Sequence, residues 1–318
     1  MMNMLRFTQS RRKFIRNCVL SGVLLPLANA KSFAIAPAAP LRIHIFSKHL
    51  QFLKYQELAD AAKEMGFDGV DLTVRPNGHV LPERVADDLP KAADALRKAG
   101  LQPLLMTTAI DDANDGTDRK VLETASKLGF KNYRMNWLTY REGESMPLQI
   151  RQFEKQMREL SLLNKQYGLT GMYQNHSGRG VGSNLWEVWQ LLKEVDKQHL
   201  GSQYDIRHAM VEGAESWQNG FELIRDQIRS VTVKDFKWGQ TNGKWHVIDV
   251  PIGEGMIDFI AYFKLLKKYN VDVPVTLHIE YDLGGAQSGA TSITIDRKEV
   301  FSAMKKDLAK VRDLWQQA

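Results

Sequence analysis

The chain has 318 residues, of which 43% are hydrophobic and 25% are charged, an ordinary composition for a globular protein. This length suits two average domains or one large barrel. The 23 glycines and 10 prolines are scattered along the chain, which excludes a disordered or fibrous protein. The first thirty residues hold five cations and no acid, so their removal lowers the formal net charge from +6 to +1. A chain whose remainder is this close to neutral does not favour nucleic acid as a partner.

The N-terminal segment has the features of an export signal. Arg11 and Arg12 precede a moderately apolar run at residues 18–27, which leads into small residues around Ala30 and Ala34. This segment resembles a twin-arginine signal, which carries folded proteins out of the bacterial cytoplasm. We predict cleavage after one of the two alanines and a periplasmic or otherwise exported protein, with the twin-arginine export machinery as a partner. The apolar run is too short to span a bilayer, so no stable membrane anchor is expected.

The sequence thus divides into a signal peptide with a short linker at residues 1–34 and a single domain at residues 35–318. Cys18, the single cysteine of the chain, lies in the first part, so the mature protein has no thiol. This excludes disulfides, thiolate metal sites and cysteine nucleophiles from the mature protein. The sequence leaves open whether the mature protein forms a homo-oligomer.

From Leu41 onward, short apolar runs alternate with longer segments of helical periodicity. Strand candidates begin near Leu41, Gly69, Gln102, Lys131, Leu169, Gly201, Arg229 and Val273. The helical segments are 54–65, 82–99, 118–128, 147–167, 184–196, 215–227, 256–269 and 296–315. Four of them are followed by a glycine that suits a left-handed helix cap: Gly66, Gly100, Gly129 and Gly168.

Eight such units of strand and helix, over about 280 residues, predict a single-domain α/β protein with a closed (β/α)8 TIM barrel. The alternative is an open, doubly wound parallel sheet. A sheet of that kind that binds nucleotides has a glycine-rich phosphate loop after its first strand. No such loop follows the first predicted strand, which favours the barrel.

In a parallel barrel, the catalytic residues lie at the carboxyl ends of the strands. Seven of the eight predicted strands run into polar or charged residues at that end, where apolar barrel filling would otherwise continue. Two of these residues, His176 and His208, are candidate general bases because an imidazole titrates near neutral pH. Candidate substrate-binding residues, which would hold sugar oxygens, stabilise an enolate or stack on a sugar ring, are Arg75, His79, Arg134, Trp137, Gln174 and Lys234.

Two of these candidates also have a purely structural interpretation. Lys234 directly precedes Asp235, and the two side chains would form an ion pair at the barrel mouth. Arg75 follows Asp71 on the second predicted strand and would pair with it in the same way. In both cases the charge would serve the barrel and not a substrate.

Six features follow one another in a specific order: Gly66-Phe67-Asp68-Gly69-Val70-Asp71, Gln174-Asn175-His176, Asp205-Ile206-Arg207-His208-Ala209, Val233-Lys234-Asp235, Pro251-Ile252-Gly253-Glu254-Gly255 and Glu280. In this order they resemble the xylose isomerase-like TIM barrels, the sugar phosphate isomerase/epimerase superfamily that also includes endonuclease IV. With the other predicted strands, the resemblance extends from Leu41 to about Asp282, nearly the whole predicted domain.

The resemblance implies a divalent metal (Mn, Mg or Zn) held by Glu, Asp, His and Glu from strands five to eight. By position, these residues are Gln174, Asp205, Thr232 and Glu280 in this chain. Two of the four depart from the family pattern, and the loss of a carboxylate and an imidazole weakens divalent binding. A metal held by Asp205, Glu280 and Gln174, with waters or His208, stays open as an expectation.

The resemblance also implies a sugar isomerase or epimerase that abstracts a proton beside the carbonyl of a small carbohydrate. Because Gln174 cannot exchange a proton, the acid–base work falls on Glu280, His208 or His176. A lyase that acts on 3-keto-glycosides by β-elimination is the first alternative, since elimination needs one base only. A catalytically silent sugar-binding barrel is the second. An abasic-site nuclease is disfavoured by the near-neutral charge and the predicted export.

Overall fold

The computed structural model describes residues 40–318, so the predicted signal peptide and linker lie outside the described residues. The strands are β1 (Ile43–Phe46), β2 (Gly69–Val74), β3 (Leu105–Thr108), β4 (Asn132–Arg134), β5 (Thr170–Gln174), β6 (Leu200–Asp205), β7 (Ile228–Val233), β8 (Asp235–Thr241), β9 (Lys244–Val250) and β10 (Val275–Leu277). The α-helices are α1 (Tyr55–Met65), α2 (Val85–Lys98), α3 (Gly116–Lys127), α4 (Met146–Tyr167), α5 (Leu185–Leu192), α6 (Ile206–Gly213), α7 (Trp217–Ile224), α8 (Phe259–Lys268) and α9 (Arg297–Gln317). Within residues 40–318, no helix is long and apolar enough to cross a membrane.

Eight of these strands form a closed barrel in the order β1-β10-β7-β6-β5-β4-β3-β2, and all neighbouring strands are parallel. Because β1 pairs with both β2 and β10, the sheet has no open edge. The predicted (β/α)8 TIM barrel is therefore confirmed, and the open doubly wound sheet is wrong. Each predicted strand and helix corresponds to an element of the structure, with ends that differ by a few residues.

Glycines set two details of this barrel. The four glycines predicted as helix caps all have positive φ, between 64° and 91°, a conformation in which a side chain is strained. Gly69 on β2 lies against the His44 ring of β1, and a Cβ atom there would come 2.4 Å from the ring. A larger residue at position 69 would therefore disturb the pairing of β1 with β2.

The hydrophobic core lies between the barrel wall and the surrounding helices. In α1, Leu58, Ala59 and Ala62 are buried on the side that faces the sheet, as the helical periodicity predicts. Burial of one such leucine contributes about 1.5–3 kcal/mol. This core supports the strands from outside, so the carboxyl ends of the strands are free to hold polar side chains.

Two elements at the barrel mouth are absent from the prediction. An antiparallel hairpin, β8 and β9, follows β7 directly, and its turn holds Asn242 and Gly243 with φ of 51° and 76°. An Asn-Gly pair between alternating residues is typical of such a turn and was the available signal. Helix α6 begins directly after β6, where the Asp205 carboxylate accepts a hydrogen bond from the His208 backbone N–H. Both elements bring residues to the carboxyl ends of the strands.

Candidate active site

A cavity of about 340 Å³ opens at the carboxyl ends of the barrel strands. Eight of the ten predicted site residues line it: Arg75, Arg134, Trp137, Gln174, His176, His208, Lys234 and Glu280. The ninth, Asp205, has no exposed surface and lies directly behind Gln174 and Lys234. A larger groove, of about 1340 Å³, lies between the loop after β9 and helix α9, away from these residues.

His79, the tenth predicted residue, lies outside this cavity. Its Nδ1 atom is 3.1 Å from the Thr73 hydroxyl, which also accepts a hydrogen bond from the His79 backbone N–H. Tyr55 donates a hydrogen bond to the His79 carbonyl oxygen. Burial lowers the pKa of this imidazole to about 4, so it is neutral. His79 therefore holds the turn after β2, and the structure does not bring it to the predicted substrate.

Asp205 is the centre of a buried hydrogen-bond network. Gln174 donates from Nε2 to Asp205 Oδ2 at 2.8 Å, and Lys234 Nζ lies 3.2 Å from the same oxygen. On its other side, Gln174 accepts a hydrogen bond from Arg134 at 3.0 Å. The amide of Gln174 is therefore fully engaged by Asp205 and Arg134, and it links β4 to β6.

Lys234 and His208 form the second part of this network. Lys234 Nζ lies 2.9 Å from His208 Nε2, and because an ammonium only donates, Nε2 is the acceptor nitrogen. His208 Nδ1 lies 2.8 Å from the Ser177 hydroxyl and 3.1 Å from the Arg207 guanidinium. Burial, together with the Lys234 charge, holds the pKa of His208 well below its ordinary value. His208 is thus a neutral imidazole with partners at both ring nitrogens, an arrangement that does not favour the predicted role of general base.

Lys234 keeps one donor for a ligand. An ammonium has three N–H groups, and those of Lys234 meet Asp205, His208 and, in the part of the chain that the structure describes, no third partner. The side chain is 6% exposed, and it lines the cavity. The predicted alternative, an ion pair with Asp235, is wrong, because Lys234 pairs with Asp205 of the adjacent strand. Asp235 instead accepts hydrogen bonds from the backbone N–H groups of the loop after β9.

Glu280 lies on the other side of the cavity, three residues after β10. Its Oε2 atom accepts a hydrogen bond from Lys48 at 2.9 Å, and its side chain is 23% exposed. Burial by itself would raise the pKa of this carboxyl, but the approach of His278 and the charges of Lys234 and Lys48 outweigh it and hold that pKa well below its usual range. Glu280 is therefore ionised at neutral pH, with one side open to the cavity.

His176 retains an acceptor nitrogen with no hydrogen-bond partner among the described residues. Its Nδ1 atom is 3.0 Å from the Ser177 carbonyl oxygen, which only accepts, so Nδ1 carries the proton and Nε2 has the lone pair. Burial and the nearby Lys234 lower the pKa of His176 below 6.5. The ring packs 4.0 Å from His208 and 4.5 Å from Trp137, measured between ring centres. His176 is thus neutral at pH 7 and able to accept a proton.

Three further cations surround the cavity. Arg207 is paired with Asp249 of the hairpin at 2.8 Å. Arg134 is buried, stacks over Trp137 at 4.2 Å and has an Nε atom with no hydrogen-bond partner in residues 40–318. Arg75 lies over the Phe46 ring at 5.5 Å and forms no ion pair within the described residues. The predicted alternative for Arg75, a pair with Asp71, is therefore absent there.

A divalent metal does not fit the side chains expected to hold it. The oxygens of Asp205 face the amide of Gln174, the ammonium of Lys234 and a backbone N–H group. The carbonyl oxygen of Gln174 is directed to Arg134, and Glu280 is paired with Lys48. Within residues 40–318, no group of three or more His, Cys, Asp or Glu side chains is arranged to hold a metal ion. The Lys234 ammonium already contacts the buried Asp205 carboxylate, which a divalent cation would need as an anionic ligand.

Five lining residues of the cavity are outside the predicted set, Phe46, Lys48, Arg207, Asp249 and His278, and three of them are charged. Lys48 lies in a short 3-10 helix after β1, where strand periodicity does not predict the direction of a side chain. Asp249 comes from the hairpin, which the Asn-Gly pair at its turn would have revealed. Arg207 was part of a recognised motif, but its carboxylate partner comes from the hairpin. The charged residues of these ion pairs are thus visible in the sequence, but the elements that bring them together were not predicted.

The geometry can be compared with known proteins. The chain matches the family described as xylose isomerase-like TIM barrel over residues 59–299. It is similar to the structure of 3-keto-D-glucoside 4-epimerase from E. coli, with 17% identity and a TM-score of 0.63 over 86% of this chain and 99% of that one. It is also similar to a probable 3-DHS dehydratase from Bacillus anthracis, with 14% identity and a TM-score of 0.60 over 85% of this chain and 99% of that one.

A third similar structure, the IOLI protein with a bound zinc atom, has 16% identity and a TM-score of 0.66 over 86% of this chain and 99% of that one. At these identities the likeness shows a shared fold. No curated protein sequence gives a significant match. The family match covers well over half of the residues, so the chain belongs to the xylose isomerase-like TIM barrel family.

Proposed function

We propose that the protein is a sugar isomerase that moves a proton between carbon atoms beside a carbonyl group. One observation carries this proposal: a single cavity holds an ionised, partly buried carboxylate, a neutral imidazole with a free acceptor and an ammonium with an unused donor. These are Glu280, His176 and Lys234. They supply a base, a carrier for a hydroxyl proton and a stabiliser of negative charge, which are the three requirements of reaction through an enediol.

Glu280 is the proposed base. It takes the proton from the carbon beside the carbonyl, the C–H electron pair forms the carbon–carbon double bond, and the carbonyl electrons move to the oxygen. Lys48 holds Glu280 ionised, and a substrate oxygen that accepts a hydrogen bond from Lys48 weakens this pair and makes Glu280 more basic. Glu280 then returns the proton to the neighbouring carbon on the same face.

Lys234 is the proposed stabiliser of the enediolate. Its free N–H group donates to the oxygen on which charge develops, in a site with little water, where such a donor is worth far more than in solution. Asp205 and His208 are positioning residues that fix the ammonium by its two other N–H groups. An ammonium already aimed at the oxygen needs no reorganisation during the reaction.

His176 is the proposed carrier of the hydroxyl proton. Its free Nε2 atom takes the proton from one oxygen of the enediolate and gives it to the other, so atoms and charge balance over the whole isomerisation. The carbon proton moves through Glu280 alone. This arrangement suits a chain in which Gln174 replaces the glutamate that serves as the second acid–base group in two-faced epimerisation.

Proton exchange in heavy water tests this proposal. The mature protein is incubated with ketoses and aldoses, and proton NMR follows the signal of the hydrogen beside the carbonyl. We expect its loss with the native protein and not with Glu280→Gln, while Glu64→Gln, a change of an exposed glutamate, exchanges normally. With His176→Gln we expect carbon exchange to continue while isomerised product falls by about 10²-fold. Exchange that persists in Glu280→Gln would contradict the assignment of the base.

Elimination is the second candidate, and the replacement of a family glutamate by Gln174 favours it. A lyase that acts on 3-keto-glycosides needs a base and an enolate stabiliser, and Glu280 and Lys234 would serve in the same roles. Incubation with a 3-keto-glycoside that carries a chromogenic aglycone separates the two reactions. Release of the aglycone indicates the lyase, and an isomerised product without release indicates the isomerase.

Export of the protein is a separate proposal, supported by the arginine pair Arg11 and Arg12. Replacement of both by lysine is expected to stop export and to leave the folded domain in the cytoplasm. Fractionation of cells that express either form, followed by detection of the protein, measures this. Continued export of the double variant would contradict the twin-arginine assignment.

A further inference from the structure

Five cations line the cavity, and three of them have their own carboxylate. Lys48 is paired with Glu280, Lys234 with Asp205, and Arg207 with Asp249, at 2.9, 3.2 and 2.8 Å. The two others are Arg75, which directly follows β2, and Arg134, which ends β4; both line the cavity, and β3 lies between their strands. Neither has a carboxylate within ion-pair distance in the part of the chain that the structure describes.

The surroundings of these two guanidinium groups make their uncompensated positive charge energetically unfavourable. Arg134 is 3% exposed, and its Nε atom has no hydrogen-bond partner among residues 40–318. Burial lowers the pKa of Arg134 to about 9, and the charge of Arg75 is the next cause. Two like charges that are buried or half-buried in one cavity are energetically costly unless an anion lies between them.

One deeper carboxylate offsets part of this charge. Asp71 lies on β2 beneath Arg75 and accepts hydrogen bonds from Thr107 and Thr276 at 3.0 and 3.1 Å. Burial raises its pKa to about 6, so it is largely ionised at pH 7. With Asp71 included, four carboxylates face five cations, and the cavity has an excess of about one positive charge.

We propose that the substrate is an anionic sugar with one carboxylate, such as a uronate, and that Arg75 and Arg134 bind this carboxylate. The inference rests on the proposed function, because it places the carboxylate in the same cavity as the reacting carbonyl. A guanidinium offers two parallel N–H groups, which match the two oxygens of a carboxylate. The single excess charge fits a carboxylate better than a phosphate monoester, which carries about −1.5 to −2 at pH 7.

Calorimetric titration with three matched ligands tests this. D-glucose and D-glucuronate differ by a hydroxymethyl group and a carboxylate, and D-glucose 6-phosphate carries the larger charge. We expect D-glucuronate to bind at least about tenfold more tightly than either of the others. Equal or weaker binding of D-glucuronate than of D-glucose, or its lack of binding, would overturn the inference. Tighter binding of the 6-phosphate would overturn the choice of a carboxylate.

Variants of the half-buried arginine give the second arm. Arg75→Gln is expected to remove the advantage of D-glucuronate over D-glucose. Arg42→Gln, a change of an exposed arginine that precedes β1, is the control and is expected to bind like the native protein. An unaltered preference in Arg75→Gln would contradict the proposed carboxylate site.

The closing experiment separates this inference from the proposed function. D-glucuronate binding is measured in Glu280→Gln beside proton exchange in the native protein. Binding in both proteins with exchange in the native protein supports both proposals. Binding without any exchange in the native protein leaves the anionic site standing and contradicts the isomerase. Exchange with neutral ketoses and no preference for the uronate contradicts the anionic site and leaves the isomerase standing.

Discussion

Two lysine–carboxylate pairs lie on opposite sides of the same cavity, and they differ in burial more than in length. Lys48 and Glu280 are 2.9 Å apart with side chains that are 18% and 23% exposed. Lys234 and Asp205 are 3.2 Å apart with side chains that are 6% and 0% exposed. The pair of Lys48 and Glu280, the more exposed of the two, can exchange partners with a substrate, because water and ligand reach it.

The buried pair is held from every side. Gln174 and a backbone N–H group also donate to Asp205, and His208 accepts from Lys234. Breaking such a pair leaves a buried charge without compensation, whereas an exposed pair contributes little to stability. The comparison therefore assigns proton transfer to the pair at Glu280 and fixed electrostatic support to the pair at Lys234.

Glu280→Gln is the change that should have the largest effect on turnover. It removes the proposed base and keeps the shape of the side chain, so we expect turnover to fall by about 10³-fold. Because solvent screens the pair with Lys48 only in part, we expect the free energy of unfolding to fall by about 1–2 kcal/mol, less than when the buried pair is broken. Steady-state rates and urea unfolding of this variant and of Glu64→Gln measure both. A large loss of stability with normal turnover would reverse the roles of the two pairs.

Lys234→Gln should lower turnover by about 10²-fold, since it removes one preorganised donor to the developing oxyanion. It should also cost about 3–5 kcal/mol of stability, because Asp205 is then buried without its partner. The double variant Lys234→Gln with Asp205→Asn should recover most of this stability and none of the turnover. Lys63→Gln, a change of an exposed lysine, is the control. Recovered turnover in the double variant would show that the ammonium only serves the fold.

His208 should have the smallest effect of the three, in spite of its place in the network. His208→Leu removes the acceptor for Lys234 and should lower turnover by about tenfold, whereas His208→Gln keeps an acceptor oxygen and should recover most of it. If His208 were the general base, both variants would lose about 10²-fold or more. Turnover of the two variants, measured per folded molecule, separates these outcomes.

The pH dependence sharpens the same point. Protonation of His176 removes its acceptor, so turnover should fall as the pH decreases through the pKa of His176. Because burial and Lys234 lower that pKa, the acid limb should lie below pH 6.5. His176→Gln should abolish this limb, and His208→Gln should leave it in place. A limb that disappears in His208→Gln would return the proton transfer to His208.

The sequence predicts the barrel because its signals are local. Apolar periodicity and the glycines after the helices determine the order of the elements, and the rule that active sites lie at the carboxyl ends of the strands predicts most of the cavity. Which charged residues pair with each other depends on how the elements pack in three dimensions. Lys234 meets Asp205 from the adjacent strand and not Asp235 from its own, and Asp249 reaches Arg207 only through a hairpin. Such contacts between elements are not encoded in residue spacing.

The most direct test of the central claim, that an ammonium and not a divalent metal supports proton abstraction, is exchange by a protein freed of metal. The mature protein is treated with a chelator, its metal content is measured, and deuterium exchange beside the carbonyl is followed with and without added Mn²⁺. We predict that chelation changes the exchange rate by less than about twofold, because Lys234 and not a metal lies against Asp205. Loss of exchange on chelation and its recovery with Mn²⁺ would contradict the account.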